Sequence, residues 1–110
     1  MIRVRDITIG EGSPKICAPV VEVTQEDILE EGEKLASSKG VDLIEWRIDF
    51  YDESSDISKI LQTASLLRTV VGKKPLLATF RTKNEGGNKE IEESAYKDML
   101  IAISESGDID

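Results

Sequence analysis

Apolar and polar residues alternate at period two through Leu43-Ile44-Glu45-Trp46-Arg47-Ile48-Asp49-Phe50, which predicts a strand over about 41–48. Ile44, Trp46, Ile48 and Phe50 fall on one face, and Leu43, Glu45, Arg47 and Asp49 on the other. Before it, Ile2, Val4, Ile7 and Ile9 flank the polar pair Arg5-Asp6, the pattern of a short hairpin over 2–9. Gly10-Glu11-Gly12-Ser13-Pro14 reads as a loop, and the apolar run Lys15–Val21 as a buried strand. Thr24 followed by Asp27 resembles a capping box and opens a helix to about 38, with Ile28, Leu35 and Ala36 toward the core. Gly32 inside it costs roughly 1 kcal/mol against alanine, so close packing must need it or the helix is weak.

Helical periodicity is clearest further on. Ser54, Ser55 and Asp56 supply helix-start chemistry, and Ile57, Ile60, Leu61, Ala64, Leu66 and Leu67 recur at helical spacing until Gly72. Pro75 opens a third strand, Leu76-Leu77-Ala78-Thr79-Phe80-Arg81, followed by a polar loop from Thr82 to Asn88. A third helix is predicted from about 92 to 104, with Tyr96, Met99, Leu100 and Ile103 on one side and Gly107 just past its end. Asp108-Ile109-Asp110 begins a further element. The chain is thus a hairpin (2–9) followed by βα units at about 15–38, 41–71 and 75–105. This alternation predicts an α/β fold with parallel strands covered on both faces. Helices cover both faces of an open sheet, whereas in a closed barrel one strand face looks inward.

This order changes the meaning of the charged strand face. With Ile44, Trp46 and Ile48 against helices, Glu45, Arg47 and Asp49 turn toward a barrel interior, and Leu77, Thr79 and Arg81 share a face on the next strand. Glu45, Arg47 and Arg81 then converge at the C-terminal ends of adjacent strands, where barrel enzymes build their sites. Taking charges out of water is expensive, so such a cluster points to a binding site; a solvated edge strand with ordinary ion pairs is the alternative. Two arginines suit a small polyhydroxylated anion, and Asp49 serves most simply to orient Arg47. Glu85 is either a solvated loop acid or a carboxylate reaching into the pocket. Lys83, in a polar loop with nothing to desolvate it, reads as a surface lysine and not a Schiff-base amine.

Composition narrows the rest. The 110 residues are 39% hydrophobic and 33% charged, the balance of one small globular domain. A net charge of −8 argues against nucleic acid and against anionic membrane surfaces as partners. No apolar run is long enough to span a bilayer, and no signal peptide is recognisable. The single cysteine, Cys17, allows no internal disulfide, fits a reducing cytoplasm and reads as a small buried hydrophobe. Histidine is absent, and no metal-ligand spacing occurs. The glycines at 10 and 12 lack the Gly-Lys-Ser/Thr that a phosphate cradle needs.

Gly10-Glu11-Gly12-Ser13-Pro14-Lys15-Ile16, Glu45-Trp46-Arg47-Ile48-Asp49-Phe50 and Leu76-Leu77-Ala78-Thr79-Phe80-Arg81-Thr82-Lys83-Asn84-Glu85-Gly86-Gly87 resemble, in order and spacing, the type I 3-dehydroquinate dehydratase family. The resemblance covers nearly the whole chain. It implies the N-terminal portion of a (β/α)8 TIM barrel, 1–110 being one fragment of that domain, with a hairpin closing the barrel bottom. It also implies the lyase reaction of the shikimate pathway, 3-dehydroquinate to 3-dehydroshikimate, through a lysine Schiff base and a proton-moving histidine, without metal or organic cofactor. By position Glu45, Arg47 and Arg81 resemble substrate-binding residues, and Glu85 the loop glutamate that supports the catalytic pair. Where the family often carries a serine near the end of the first strand, this chain has Pro19. The Schiff-base lysine and the catalytic histidine have no counterpart in these residues, so the resemblance implies an inactive N-terminal piece. Two other readings stay open: a non-catalytic module binding a shikimate-like anion, and a half-barrel that only self-assembles. Exposed strand edges predict a homo-oligomer in either case.

Overall fold

Two sheets arise from the two kinds of strand signal. The computed structural model describes residues 1–110. β1 (Ile2–Val4) and β2 (Ile7–Ile9) pair antiparallel, with Ile2 opposite Ile9 and Val4 opposite Ile7. Between them Arg5 takes φ 52°, the left-handed region that a two-residue hairpin turn uses.

The second sheet is parallel, in the order β3 (Cys17–Val20), β4 (Leu43–Arg47), β5 (Leu76–Thr79). Its connections are α1 (Gln25–Ala36) and α2 (Ile57–Val71); α3 (Glu93–Ser106) follows β5. Thr24 caps α1, its hydroxyl accepting from the Asp27 amide at 3.2 Å. Asp56 caps α2, accepting from the amides of Ser58 (3.0 Å) and Lys59 (3.3 Å). Gly107 closes α3 with φ 79°.

Register fixes what each face carries. Ala18, Ile44 and Leu76 lie level, as do Val20, Trp46 and Ala78; Val20, Ile44, Trp46 and Leu76 have no exposed surface. These residues meet Ile28 of α1, Ile60, Ala64 and Leu67 of α2, and Met99 and Ile103 of α3 in one core. Gly32 is where α1 crosses α2: a Cβ there would lie 2.5 Å from Leu67 Cδ1. Close packing is therefore the reason for a glycine in mid-helix. The opposite sheet face carries Cys17, Pro19, Leu43, Glu45, Arg47, Leu77 and Thr79.

Several side chains depart from expectation. Cys17 is exposed, not buried, because register puts it on the sheet face that no helix covers. The strand at β4 ends at Arg47; Ile48–Phe50 forms a 3-10 turn closed by the Tyr51 amide on the Ile48 carbonyl (2.9 Å). That turn carries Asp49 out of the alternation and buries it. Ile57, Leu66 and Leu100 are exposed although each fits its helix's apolar spacing. Ile57 lies at the first residue of α2, and Leu66 is one position round the helix from the buried Leu67. The terminal stretch forms no strand, but the Asp110 amide donates to the Leu76 carbonyl at the start of β5 (2.9 Å).

Candidate active site

The C-terminal ends of β4 and β5 deliver the charged residues to one place. Arg47 is the last residue of β4 and lies level with Thr79, the last of β5. Glu45 and Leu77 form the level below. Arg81 follows β5 by two residues, and a 3-10 turn at Lys83–Glu85 brings the loop back. Gly87 N–H donates to the Thr82 carbonyl (2.8 Å), and Gly86 adopts φ 90°. A Cβ on Gly87 would lie 1.6 Å from the Arg81 carbonyl oxygen, so only glycine lets the loop fold back this tightly.

A cavity of about 500 Å³ opens here, lined by Glu45, Arg47, Thr79, Arg81, Glu85 and Tyr96, with Ala78, Phe80 and Leu100. All four candidate residues from the sequence border it. Thr79 Oγ1 donates to Glu45 Oε2 (3.1 Å) and Thr82 Oγ1 to Glu85 Oε1 (2.7 Å). The Arg47 guanidinium lies 4.9 Å from the Phe50 ring centroid. The Arg81 guanidinium lies over Gly86, where a Cβ would come within 3.1 Å of Nη2.

Asp49 orients Arg47. Nε and Nη2 donate to its two oxygens at 2.9 and 2.7 Å, a bidentate fork. Burial pushes the Asp49 carboxyl up, but hydrogen bonds from Arg47, Asn88 and Arg81 outweigh it and hold the group below the ordinary carboxylate range. The same fork raises Arg47 above its ordinary value. Although Cys17 as a residue is exposed, partial desolvation of its thiol, with Glu45 nearby, raises the group above its ordinary value and makes it a poor nucleophile. Lys83 is a surface lysine, 3.9 Å from Glu90. Pro19 lies level with Glu45 on the same sheet face. No three His, Cys, Asp or Glu side chains gather to hold a metal ion, and no helix is long and apolar enough to cross a membrane.

Tyr96, Leu100 and Thr79 were not legible as cavity residues. Tyr96 and Leu100 fit the apolar stripe of α3, and the stripe does not say that its edge turns toward the strand ends. Thr79 shares a face with Arg81 in the alternation, but its bond to Glu45 depends on the β4–β5 register.

Parallel strands joined by helices, with a cavity holding two arginines and two glutamates at the strands' C-terminal ends, are the arrangement found in part of a βα barrel. The sequence model of the type I 3-dehydroquinase family matches residues 16–109. The chain is 42% identical over 110 residues to a 3-dehydroquinate dehydratase of Clostridium botulinum, covering all of this chain and 43% of the relative. It superposes on the structure of the Enterococcus faecalis 3-dehydroquinate dehydratase with TM-score 0.96 and 37% identity, covering 100% of this chain and 45% of that one. The type I enzyme of Clostridium difficile, solved with covalently modified comenic acid, gives TM-score 0.95 and 39% identity over 98% of this chain and 42% of that one. The chain belongs to the type I 3-dehydroquinase family, corresponds to the N-terminal portion of its barrel, and spans less than half the length of these relatives.

Proposed function

We propose that this chain supplies the substrate-binding half of a 3-dehydroquinate dehydratase, a carbon–oxygen lyase that converts 3-dehydroquinate to 3-dehydroshikimate in the cytoplasm. The observation that carries the reading is the convergence of Glu45, Arg47, Arg81 and Glu85 on one cavity. Arg47 and Arg81 bind the substrate's carboxylate and hydroxyls by charge and directional hydrogen bonds. Glu45 accepts from substrate hydroxyls, and Glu85 supports the proton-transfer groups from the loop. Residues 1–110 act as one N-terminal unit of the barrel.

The reaction proceeds through an imine between a lysine and the substrate ketone, which acidifies the adjacent carbon, while a histidine moves protons. The 110 residues contain no histidine, and none of the cavity's lining residues is a lysine. We therefore assign binding to these residues and infer that they do not turn over substrate by themselves. Self-association through exposed edges and the uncovered sheet face accompanies this reading; Leu77 on that face and Ile16 at its border are exposed.

Calorimetric titration of the chain with 3-dehydroquinate tests the assignment. Binding that is lost in Arg47→Ala is the expected result, and no heat of binding by the unaltered chain contradicts it. Borohydride reduction in the presence of substrate is expected to leave the protein mass unchanged. An adduct on one of its own lysines would overturn the division of labour.

A further inference from the structure

Asp49 has no exposed surface, and its carboxylate accepts four hydrogen bonds from three residues on two segments. Oδ1 accepts from Arg47 Nε (2.9 Å) and the Arg81 amide (3.3 Å). Oδ2 accepts from Arg47 Nη2 (2.7 Å) and the Asn88 amide (3.1 Å). Asn88 Nδ2 returns to the Asp49 carbonyl at 3.2 Å. Arg81 and Asn88 are the two ends of the loop that carries Glu85. One carboxylate thus joins the end of β4 to both ends of that loop.

This arrangement does more than neutralise a buried charge. Arg47 alone would do that through its fork. The two backbone bonds add the position of the loop, and with it Arg81 and Glu85, to the position of Arg47. They are available only because Gly87 lets the chain turn back on Arg81. Residues that hold binding groups in one geometry before the ligand arrives reduce the ordering cost of binding.

We propose that Asp49 is the positioning residue of the anion site, coupling Arg47 on β4 to the Arg81–Asn88 loop so that both guanidinium groups and Glu85 take one fixed arrangement. It need not touch the ligand. The proposal deepens the dehydroquinate reading and rests on it for the ligand's identity, but the coupling itself can be measured without ligand.

The test uses the ¹⁵N-labelled chain, well below its unfolding temperature. In the unaltered protein the Arg47 Nε–H signal and the Arg81 and Asn88 amides exchange slowly with water. In Asp49→Asn the Arg47 signal shifts toward that of exposed arginines, both amides exchange at least tenfold faster, and 3-dehydroquinate affinity falls at least tenfold. Gly87→Ala, a loop substitution outside the core, moves the Arg47 signal although it alters neither Arg47 nor Asp49, and it decides the matter should Asp49→Asn not fold. A folded Asp49→Asn with these signals unchanged overturns the proposal, as does a Gly87→Ala that leaves the Arg47 signal in place. Absence of binding by the unaltered chain overturns the dehydroquinate reading alone; the ligand-free signals then decide the coupling.

Discussion

A carboxylate without exposed surface stays ionised only where hydrogen bonds outweigh the cost of leaving water. Asp49 meets that condition with Arg47, Arg81 and Asn88, and removing it leaves Arg47 without its partner. Asp49→Ala is expected to lower unfolding stability by about 3–5 kcal/mol, the range for breaking one side of a buried pair; urea denaturation measures it. The pH dependence has a definite sign. A carboxyl whose folded pKa lies below its unfolded value contributes stability that is complete above the unfolded pKa, about 3.9, and is lost as pH falls through the folded one. The Asp110 carboxyl is also held low: burial opposes this, and bonds from Arg5, the Leu76 amide and Arg68 prevail. Between about pH 5 and 8 stability should therefore be flat, and it should fall in acid, with a shallower fall in Asp49→Asn. The pairing of Asp49 with Arg47 was legible because the two lie two residues apart, although a 3-10 turn and not the strand alternation brings them together. The bonds of Asp49 to Arg81 and Asn88 were not, because they depend on a loop folding back from another strand. Cys17 was misread for a related reason: residue type favours burial, but register decides which face is covered.

Caps and turns are local, which is why the hairpin, the Thr24 and Asp56 helix starts and the Gly107 stop could be read from neighbours in the chain. Packing between helices is not local, and Gly32 shows the difference. In isolation Gly32→Ala gains helix propensity, roughly 1 kcal/mol. In the fold the new methyl meets Leu67 Cδ1 at 2.5 Å, and Leu67 is itself fully buried, so it has no free space to move into. Overpacking of this kind costs about 1–3 kcal/mol and exceeds the propensity gain. Thermal denaturation is expected to show a midpoint lowered by about 5 °C, given ~4–8 °C per kcal/mol for a domain near this size. Gly40 supplies the control. Nothing lies within 4 Å of a Cβ there, so Gly40→Ala should leave the midpoint unchanged or raise it slightly through the unfolded chain. A Gly32→Ala protein as stable as the parent would mean that α1 and α2 can separate without cost. The exposed Ile57, Leu66 and Leu100 belong to the same lesson: helical spacing defines a stripe, and the neighbours that cover it define the stripe's width.

At the scale of all 110 residues the structure is asymmetric in a way that single elements do not reveal. Helices cover one sheet face, and the other bears the cavity together with the exposed Cys17, Pro19 and Leu77. The alternation of strands and helices made the parallel order β3-β4-β5 legible, and with it the convergence of Glu45, Arg47 and Arg81. The depth of the cavity and the part α3 plays in it required the packed molecule. A sheet face that no helix covers, and that buries Leu43 but leaves Cys17, Pro19 and Leu77 exposed, favours association between copies of these 110 residues, as does the unpaired outer edge of β3. Pro19 within β3 lacks an N–H and weakens strand addition at that edge, which makes the face the stronger of the two surfaces. Opposing this is a net charge of −8, repulsive between identical copies and screened by salt. Sedimentation of the 110-residue chain is therefore expected to give a mass that rises above the monomer's with protein concentration, and more steeply at 0.5 M salt than at 0.05 M. Leu77→Asp should return it to the monomer, since it adds charge to the contact and removes apolar area. A concentration-independent monomer would contradict association through the face. Association that weakens as salt rises would assign it instead to charge pairs between copies.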